Sequence, residues 1–544
     1  MSTRREAMGA MMAAGIGLPL SGVDAQIGVQ GTDRERARNA PRWSPGIEGQ
    51  RKADLGNGTY LNPIMAGAYS DPSILRDGTD YYMTFSSFEA DPGLLIWHST
   101  DLVNWRPVTS VLPSPLGSVF AVDLVKHDGR FFIYIPMVPT AWSNLKENRI
   151  FVIHSDRIDG GWSRPIDLGI RGRIDPGHAV GEDGRRYLFL SGGYRVRLSA
   201  DGLSADGAVE KVYDGWKYPD DWITEAYALE GPKITRRGDY FYLVSAVGGT
   251  GGPPTGHMVI VARSRSINGP WVDCPHNPIV RTTDAGQAWW SRGHATMVEG
   301  PAGDWWMVYH GYENGFRTLG RQTLLQPVTW DKDGWPVPQG GDLGRPIAKP
   351  RGGSAGPHGI ARSDDFRRLA LGTRWTFHAP KSGEAGRVSV RDGNLILRGL
   401  GKGPEDSAPL TNLAGDRSYR VSVQVNLDDA ATGGLLLFLS SRLFLGIAID
   451  GERLVTYAGG RMHYWREPAP ASRAMYLRIE NREHIITFYY SIDGIEWQRH
   501  GLRLESSGYN ANTLLPGEGE SLRPAIFSSG TGSVRFRDYR YEAL

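Results

Sequence analysis

One unit occurs five times in this chain: a tight turn followed by an aromatic-rich strand. It reads RDGTDYYMTFSS (76–87), HDGRFFIYIPMV (127–138), EDGRRYLFLSGG (182–193), RRGDYFYLVSAV (236–247) and PAGDWWMVYHGY (301–312). The turn glycines Gly78, Gly129, Gly184, Gly238 and Gly303 are 51, 55, 54 and 65 residues apart. Each interval holds a sheet of about four strands with its turns. Three of the units are followed by a second echo, strand, turn and tryptophan: WHSTDLVNW (97–105), HSDRIDGGW (154–162) and RSRSINGPW (263–271). Five like sheets in tandem predict an all-β, five-bladed β-propeller over residues 58–345. Radial packing of blades leaves only short, protected edges. An array of β-sandwiches would show similar hairpins, but the regular spacing and the lack of helix-period segments favour the propeller.

The innermost strand of each blade lines the axis. A few residues upstream of each repeated turn stands one ionisable side chain: Asp71, Asp123, Asp175, Glu230 and His294. One such residue is an ordinary loop acid; five in register predict a ring around a shared pocket. Carboxylates converging among aromatic walls suit glycoside hydrolysis, in which one carboxyl donates a proton to the leaving oxygen and another, ionised, activates water or attacks carbon. Crowding raises one pKa and leaves the other low, which separates the two roles. Other chemistries fit less well. Lys+Arg is 61 and Asp+Glu is 59, so no net charge draws the chain to nucleic acid or to an anionic membrane surface. Cys274 is the single cysteine and cannot build a disulfide framework or a Cys-based metal site. The stretch GGTGGPPTGH (248–257) lacks the Lys-Ser/Thr ending of a phosphate loop and reads as a pocket rim.

The ends of the chain differ from its middle. Arg4-Arg5, a mildly apolar stretch over Met8–Leu20 and Val23-Asp24-Ala25 read as a twin-arginine export signal spanning 1–25, which predicts a periplasmic or secreted protein. Residues 26–57 read as a flexible segment, and 346–362, rich in Gly and Pro, as a linker. Past it, runs such as YRVSVQVNL, GGLLLFLSS and SVRFRDYRYEAL alternate with strand period and predict a β-sandwich over 363–544. No stretch carries the 18 or more apolar residues of a membrane helix.

The stretches NPIMAGAYSDPSILRDGTDYYMTFSSFEADPGLLIWHSTDLVNW, FAVDLVKHDGRFFIYI, LEGPKITRRGDYFYLVSAVGGTGG, GHATMVEGPAGDWWMVYH and LGRQTLLQPVTWDKDGWP resemble glycoside hydrolase family 43, the β-xylosidase and α-L-arabinofuranosidase family, in order over residues 60–340. The resemblance implies an inverting exo-hydrolase acting on oligosaccharides from plant polysaccharide. It implies Asp71 in YSDPSI as general base, Glu230 in LEGPKI as general acid and Asp123 in AVDLVKHDG as the carboxylate that tunes and orients the acid. Inversion predicts the Asp71 and Glu230 carboxyls roughly 6.5–9.5 Å apart. Phe88, Phe120, His294 and Arg321 are implied as substrate-binding. No cofactor is required; a calcium ion on the axis, near His294 or held through water, is compatible with the family. Phe120-Ala121-Val122 stands where many members have Trp-Ala-Pro, which keeps galactosidase or galactofuranosidase activity open, beside a catalytically silent sugar-binding propeller. Glu225 rivals Glu230, although the Glu-Gly-Pro context favours the latter. Asp175 reads either as a turn residue or as a site member, and His178 as structural or rim. His257 and His310 read as hydrogen-bonded strand residues. Trp289-Trp290 read as sugar platform or blade packing. The C-terminal part resembles the concanavalin-like domain attached to many family-43 xylosidases, closing the pocket or binding sugar itself, with Tyr464 and Trp465 as candidate sugar contacts.

Overall fold

Each repeated unit forms one blade, a four-stranded antiparallel meander, two of them with a short extra strand. The architecture comes from a computed structural model, which describes residues 42–379, 384–428, 430–463, 470–514 and 519–544. In the first blade the strands run Ser73–Asp77, Asp80–Thr84, Gly93–Ser99 and Arg106–Leu112, in that order from the axis outwards. The innermost strands of the others are Asp123–His127, Gly177–Val180, Glu230–Arg237 and Trp289–Glu299. The repeated turn works because Asp77 pairs with Asp80 across a two-residue connection with Gly78 at φ +65°, a conformation open to glycine.

The aromatic strands of the repeat are apolar on both faces because each blade has a neighbour on either side. Ile133 and Ile135 point one way, against Leu94 and Ile96 of the first blade. Phe132 and Tyr134 point the other way, against Leu188 and Leu190 of the third. Successive residues of a strand face opposite sides, so a continuous apolar run serves two interfaces.

The described residues flanking the propeller, 42–57 and 346–362, are packed against it, unlike the flexible segment and linker expected there. Thr59–Tyr60 pairs with Ile347–Ala348, which brings the two ends of the propeller together. Lys349 then donates to Asp54 at 2.6 Å and Asp101 at 3.0 Å, and Gly359 donates to the Trp105 carbonyl. The stretch 346–362 is therefore packed along the propeller rather than a free linker; its glycines and prolines supply turns. Within 26–57, the described part is also folded. Ser44–Pro45 pairs with Arg51–Lys52, and Arg51 holds Glu313 of the fifth blade at 2.9 Å and the Gly415 carbonyl of the following domain. The proposed export signal, 1–25, lies outside the described residues, as do Tyr464 and Trp465.

From residue 363 an eight-stranded and a seven-stranded sheet enclose a core that includes Leu395, Val421, Leu437, Ile447, Leu477 and Phe536. This is the expected β-sandwich. Its eight-stranded sheet has an unexpected end strand: Ala90–Asp91 of the first blade pairs with Thr376–His378. One sheet thus runs from the sandwich into the propeller. Among the described residues, no helix is long and apolar enough to cross a membrane.

Candidate active site

A pocket of about 420 Å³ opens at one end of the propeller axis. Asp71, Asp175, Glu230 and His294 line it, with Phe88, Phe120, Ala121, Tyr312 and Arg321. The sandwich closes one side with Ala511, Asn512, Leu514 and Glu520.

Local backbone departures aim these side chains inward. Asp71 and Asp175 each sit two residues before an inner strand, at φ +57° and +56°. A non-glycine residue pays strain there, aspartate less than most, and such positions gather at functional sites. His294, at φ +61°, lies in a strand whose register shifts between Trp290 and Thr296, a bulge that re-aims the side chain. Another register shift follows Glu230. The glycine of Glu-Gly-Pro has a steric reason: at Gly231, φ +59°, a Cβ would meet the His294 ring at 2.9 Å.

The charges are sorted. Asp71 accepts from Arg321 Nη1 at 2.8 Å, lies 3.0 Å from His310 Nδ1 and accepts from the Ser86 hydroxyl. Burial alone would raise its pKa, but Arg321 and then His294 outweigh burial and hold it well below the usual carboxylate range. Glu230 goes the other way. Burial, then the charges of Asp175 and Asp71, push it up to about 8 against the opposing fields of His294 and Arg321. His294 stands 3.8 Å from Asp71 and 3.5 Å from Asp175; burial opposes its charge, yet the carboxylates raise its pKa above the ordinary histidine value. Near neutral pH Asp71 is therefore ionised while Glu230 is protonated, the pairing an acid–base hydrolysis uses.

Asp123 is a correction to the sequence reading. It does not line the pocket, and it is not among the charges that set Glu230. It opens its inner strand, deeper along the axis, where Lys233 Nζ meets it at 2.6 Å and the Ser73 hydroxyl and His178 amide also donate to it. Lys233 comes from the Glu230 strand, so this buried pair ties the second and fourth blades together. The carboxylate beside Glu230 is Asp175, which also accepts from the Gly231 amide at 3.0 Å. Two substitutions separate these roles. Asp175→Asn is expected to move the basic limb of the pH–activity profile to lower pH, because a charge that raises Glu230 is gone. Asp123→Asn leaves Lys233 charged and unpaired in the interior, a loss of about 3–5 kcal/mol; thermal melting should fall sharply while the basic limb of the remaining activity stays in place.

The other candidates sort as follows. Phe88 and Phe120 both line the pocket and meet edge to face, 5.5 Å between centroids. Glu225 is at the rim, where it accepts from the Gly251 amide at 2.6 Å and secures the glycine-rich loop, of which Thr250, Gly251 and Gly252 line the pocket. His178 is structural: it accepts from Arg186 Nε, and burial and Arg186 lower its pKa to about 3. Trp289 is buried in blade packing and Trp290 donates to the Ala285 carbonyl; neither lines the pocket. His257 is not the hydrogen-bonded residue expected, since neither ring nitrogen has a hydrogen-bond partner among the described residues, whereas His310 Nδ1 accepts from the Asp71 amide at 3.1 Å; both rings stack with His294 down the axis, with centroids 5.3 Å apart for His257–His310 and 5.7 Å for His294–His310. Glu520 was missed altogether, since it belongs to the other domain.

The axis does not fit a calcium ion held directly by the protein. Calcium takes six to eight oxygens. The axial donors here are stacked imidazoles beside Arg321, and the carboxylates are already engaged. Among the described residues there is no group of three or more His, Cys, Asp or Glu side chains placed to hold a metal.

A family model, Glycosyl hydrolases family 43, matches residues 60–336. A second, Beta xylosidase C-terminal Concanavalin A-like domain, matches 363–517. The chain is 29% identical over 550 residues to a xylan 1,3-beta-xylosidase of a Vibrio species, covering 89% of this chain and 98% of that protein. It is 32% identical over 369 residues to a non-reducing end alpha-L-arabinofuranosidase of Bacteroides ovatus, covering 63% and 66%. Among solved structures, a family-43 protein from Bacillus licheniformis superposes with a TM-score of 0.79 at 26% identity, over 89% of this chain and all of that one.

Proposed function

The chain belongs to glycosyl hydrolases family 43, and from that premise we propose that it is an inverting exo-glycosidase releasing terminal β-D-xylosyl or α-L-arabinofuranosyl units from oligosaccharides. The observation that carries this reading is the opposed pair in one pocket: Asp71 held ionised, Glu230 held protonated to about pH 8. In this mechanism Asp71 takes a proton from the attacking water while Glu230 gives its own to the leaving oxygen. Asp175 keeps Glu230 protonated. The Phe88 and Phe120 rings supply apolar walls for the sugar. Exo action follows from a pocket walled on one side by the sandwich, which admits a chain end. The relatives named as a xylosidase and an arabinofuranosidase support the choice of sugars.

The test is a panel of chromogenic β-xyloside, α-arabinofuranoside, galactofuranoside and β-galactoside, with the first-formed anomer followed by NMR. Turnover of either pentoside with inversion supports the proposal. Turnover confined to the galactosides would redirect the specificity, and no turnover of any substrate would favour a silent sugar-binding propeller. Export is part of the same proposal, supported by Arg4-Arg5 and the apolar stretch after it; a fusion of residues 1–30 to a reporter should reach the periplasm, and Arg4→Lys with Arg5→Lys should stop it.

A further inference from the structure

Arg321 lies between two carboxylates from different domains. Its Nη1 donates to Asp71 at 2.8 Å; on its other side Nε and Nη2 both donate to Glu520 Oε2, at 3.2 and 3.0 Å. Arg321 and Glu520 are each 9% exposed or less, and both line the pocket. A buried guanidinium facing only Asp71 would spend its whole charge on the base. A base held by a full, unshared positive charge is a weaker proton acceptor, because the field that stabilises its ionised form also lowers its affinity for a proton. A second carboxylate divides that field and holds the planar fork of the arginine in one orientation.

We infer that Glu520 of the sandwich domain is a positioning residue for hydrolysis, balancing and orienting Arg321 so that Asp71 stays basic enough to accept a proton from water. This rests on the assignment of Asp71 as the base. It also gives the second domain a part in the chemistry itself, since the propeller alone offers Arg321 no carboxylate but the base. The groups facing this cluster are few. Asp71 meets Arg321, His310 and His294. Arg321 meets Asp71, Glu520 and the Tyr312 hydroxyl's field. Arg523 feels Glu520 from the adjoining strand. Glu230 is influenced by Asp175, His294, Asp71 and Arg321 and has His257 at 3.9 Å.

The experiment compares wild type with Glu520→Gln and Glu520→Asp on the chromogenic pentoside that the wild type hydrolyses best, across pH, with melting curves as a check on folding. Gln keeps the size and an acceptor oxygen but removes the charge, so Arg321 turns its undivided field on Asp71. The acid limb of the pH profile should move to lower pH, and kcat should fall about tenfold while KM changes much less. Asp restores the charge and should return that limb toward its wild-type position. A Gln variant with a wild-type acid limb and kcat overturns the inference, as does a loss of kcat in both variants without movement of that limb, which would mark a merely structural contact. A wild type that hydrolyses no glycoside fails earlier, on the proposed function, and takes the inference with it.

Discussion

Glu230→Gln is expected to lower kcat on natural oligosaccharides by about 10²–10⁴-fold, the usual contribution of a positioned general acid. The amide keeps the shape of the side chain but has no proton to give. The loss should shrink on aryl glycosides whose leaving group departs without protonation, and this dependence separates a missing acid from a damaged pocket. The pH profile provides a second signature. In the wild type, activity requires Glu230 protonated, so it falls as pH rises through about 8. In the variant that basic limb should vanish. A Gln variant that retains wild-type turnover on oligosaccharides, or a basic limb near 8, would remove Glu230 from the role.

Asp71→Asn should cost a similar factor, about 10²–10⁴ in kcat, but equally for good and poor leaving groups, because activating water is needed in either case. The asparagine can still accept from Arg321, and Glu520 still neutralises that arginine, so the fold should persist and melting should change little. The acid limb of the wild type is set by Asp71 and should lie below the ordinary carboxylate range, since the group is held ionised by Arg321 and His294. Measured together, a low acid limb lost in Asp71→Asn and a basic limb lost in Glu230→Gln would assign both ends of the bell. A first-formed sugar with retained configuration would contradict the pairing, because Asp71 would then have attacked carbon rather than activated water.

The blades were legible because a propeller writes its period into the chain: each blade needs its own tight turn and its own two-faced aromatic strand. Asp71 and Glu230 were legible because the short motifs around them are tied to local geometry, such as the glycine that makes room for the His294 ring. The third acid was misplaced by two residues of register. Asp71 and Asp175 stand two positions ahead of strands beginning at Ser73 and Gly177, whereas Asp123 is itself the first residue of its strand. The true counterpart of Asp71 in the second blade is Ala121, which does line the pocket. Distance from a turn glycine does not resolve that difference, since the connections before the inner strands vary. Glu520 left no trace because its partner Arg321 is about two hundred residues away and in another domain. The linker 346–362 and the described part of the flexible segment are packed for a related reason: their Gly, Pro and polar residues are held by contacts such as Lys349 with Asp54 and Asp101, which are distant in sequence.

The strand Ala90–Asp91, which extends the sandwich sheet out of the first blade, has a consequence for turnover. Rocking the two bodies apart would tear main-chain hydrogen bonds between Asp91 and Phe377, so the cleft has no hinge on that side. A chain end therefore enters, and the freed sugar leaves, without the two bodies swinging apart on that side. Release should therefore slow in proportion to solvent viscosity, and tethering the bodies with an engineered cross-link should leave the catalytic cycle intact.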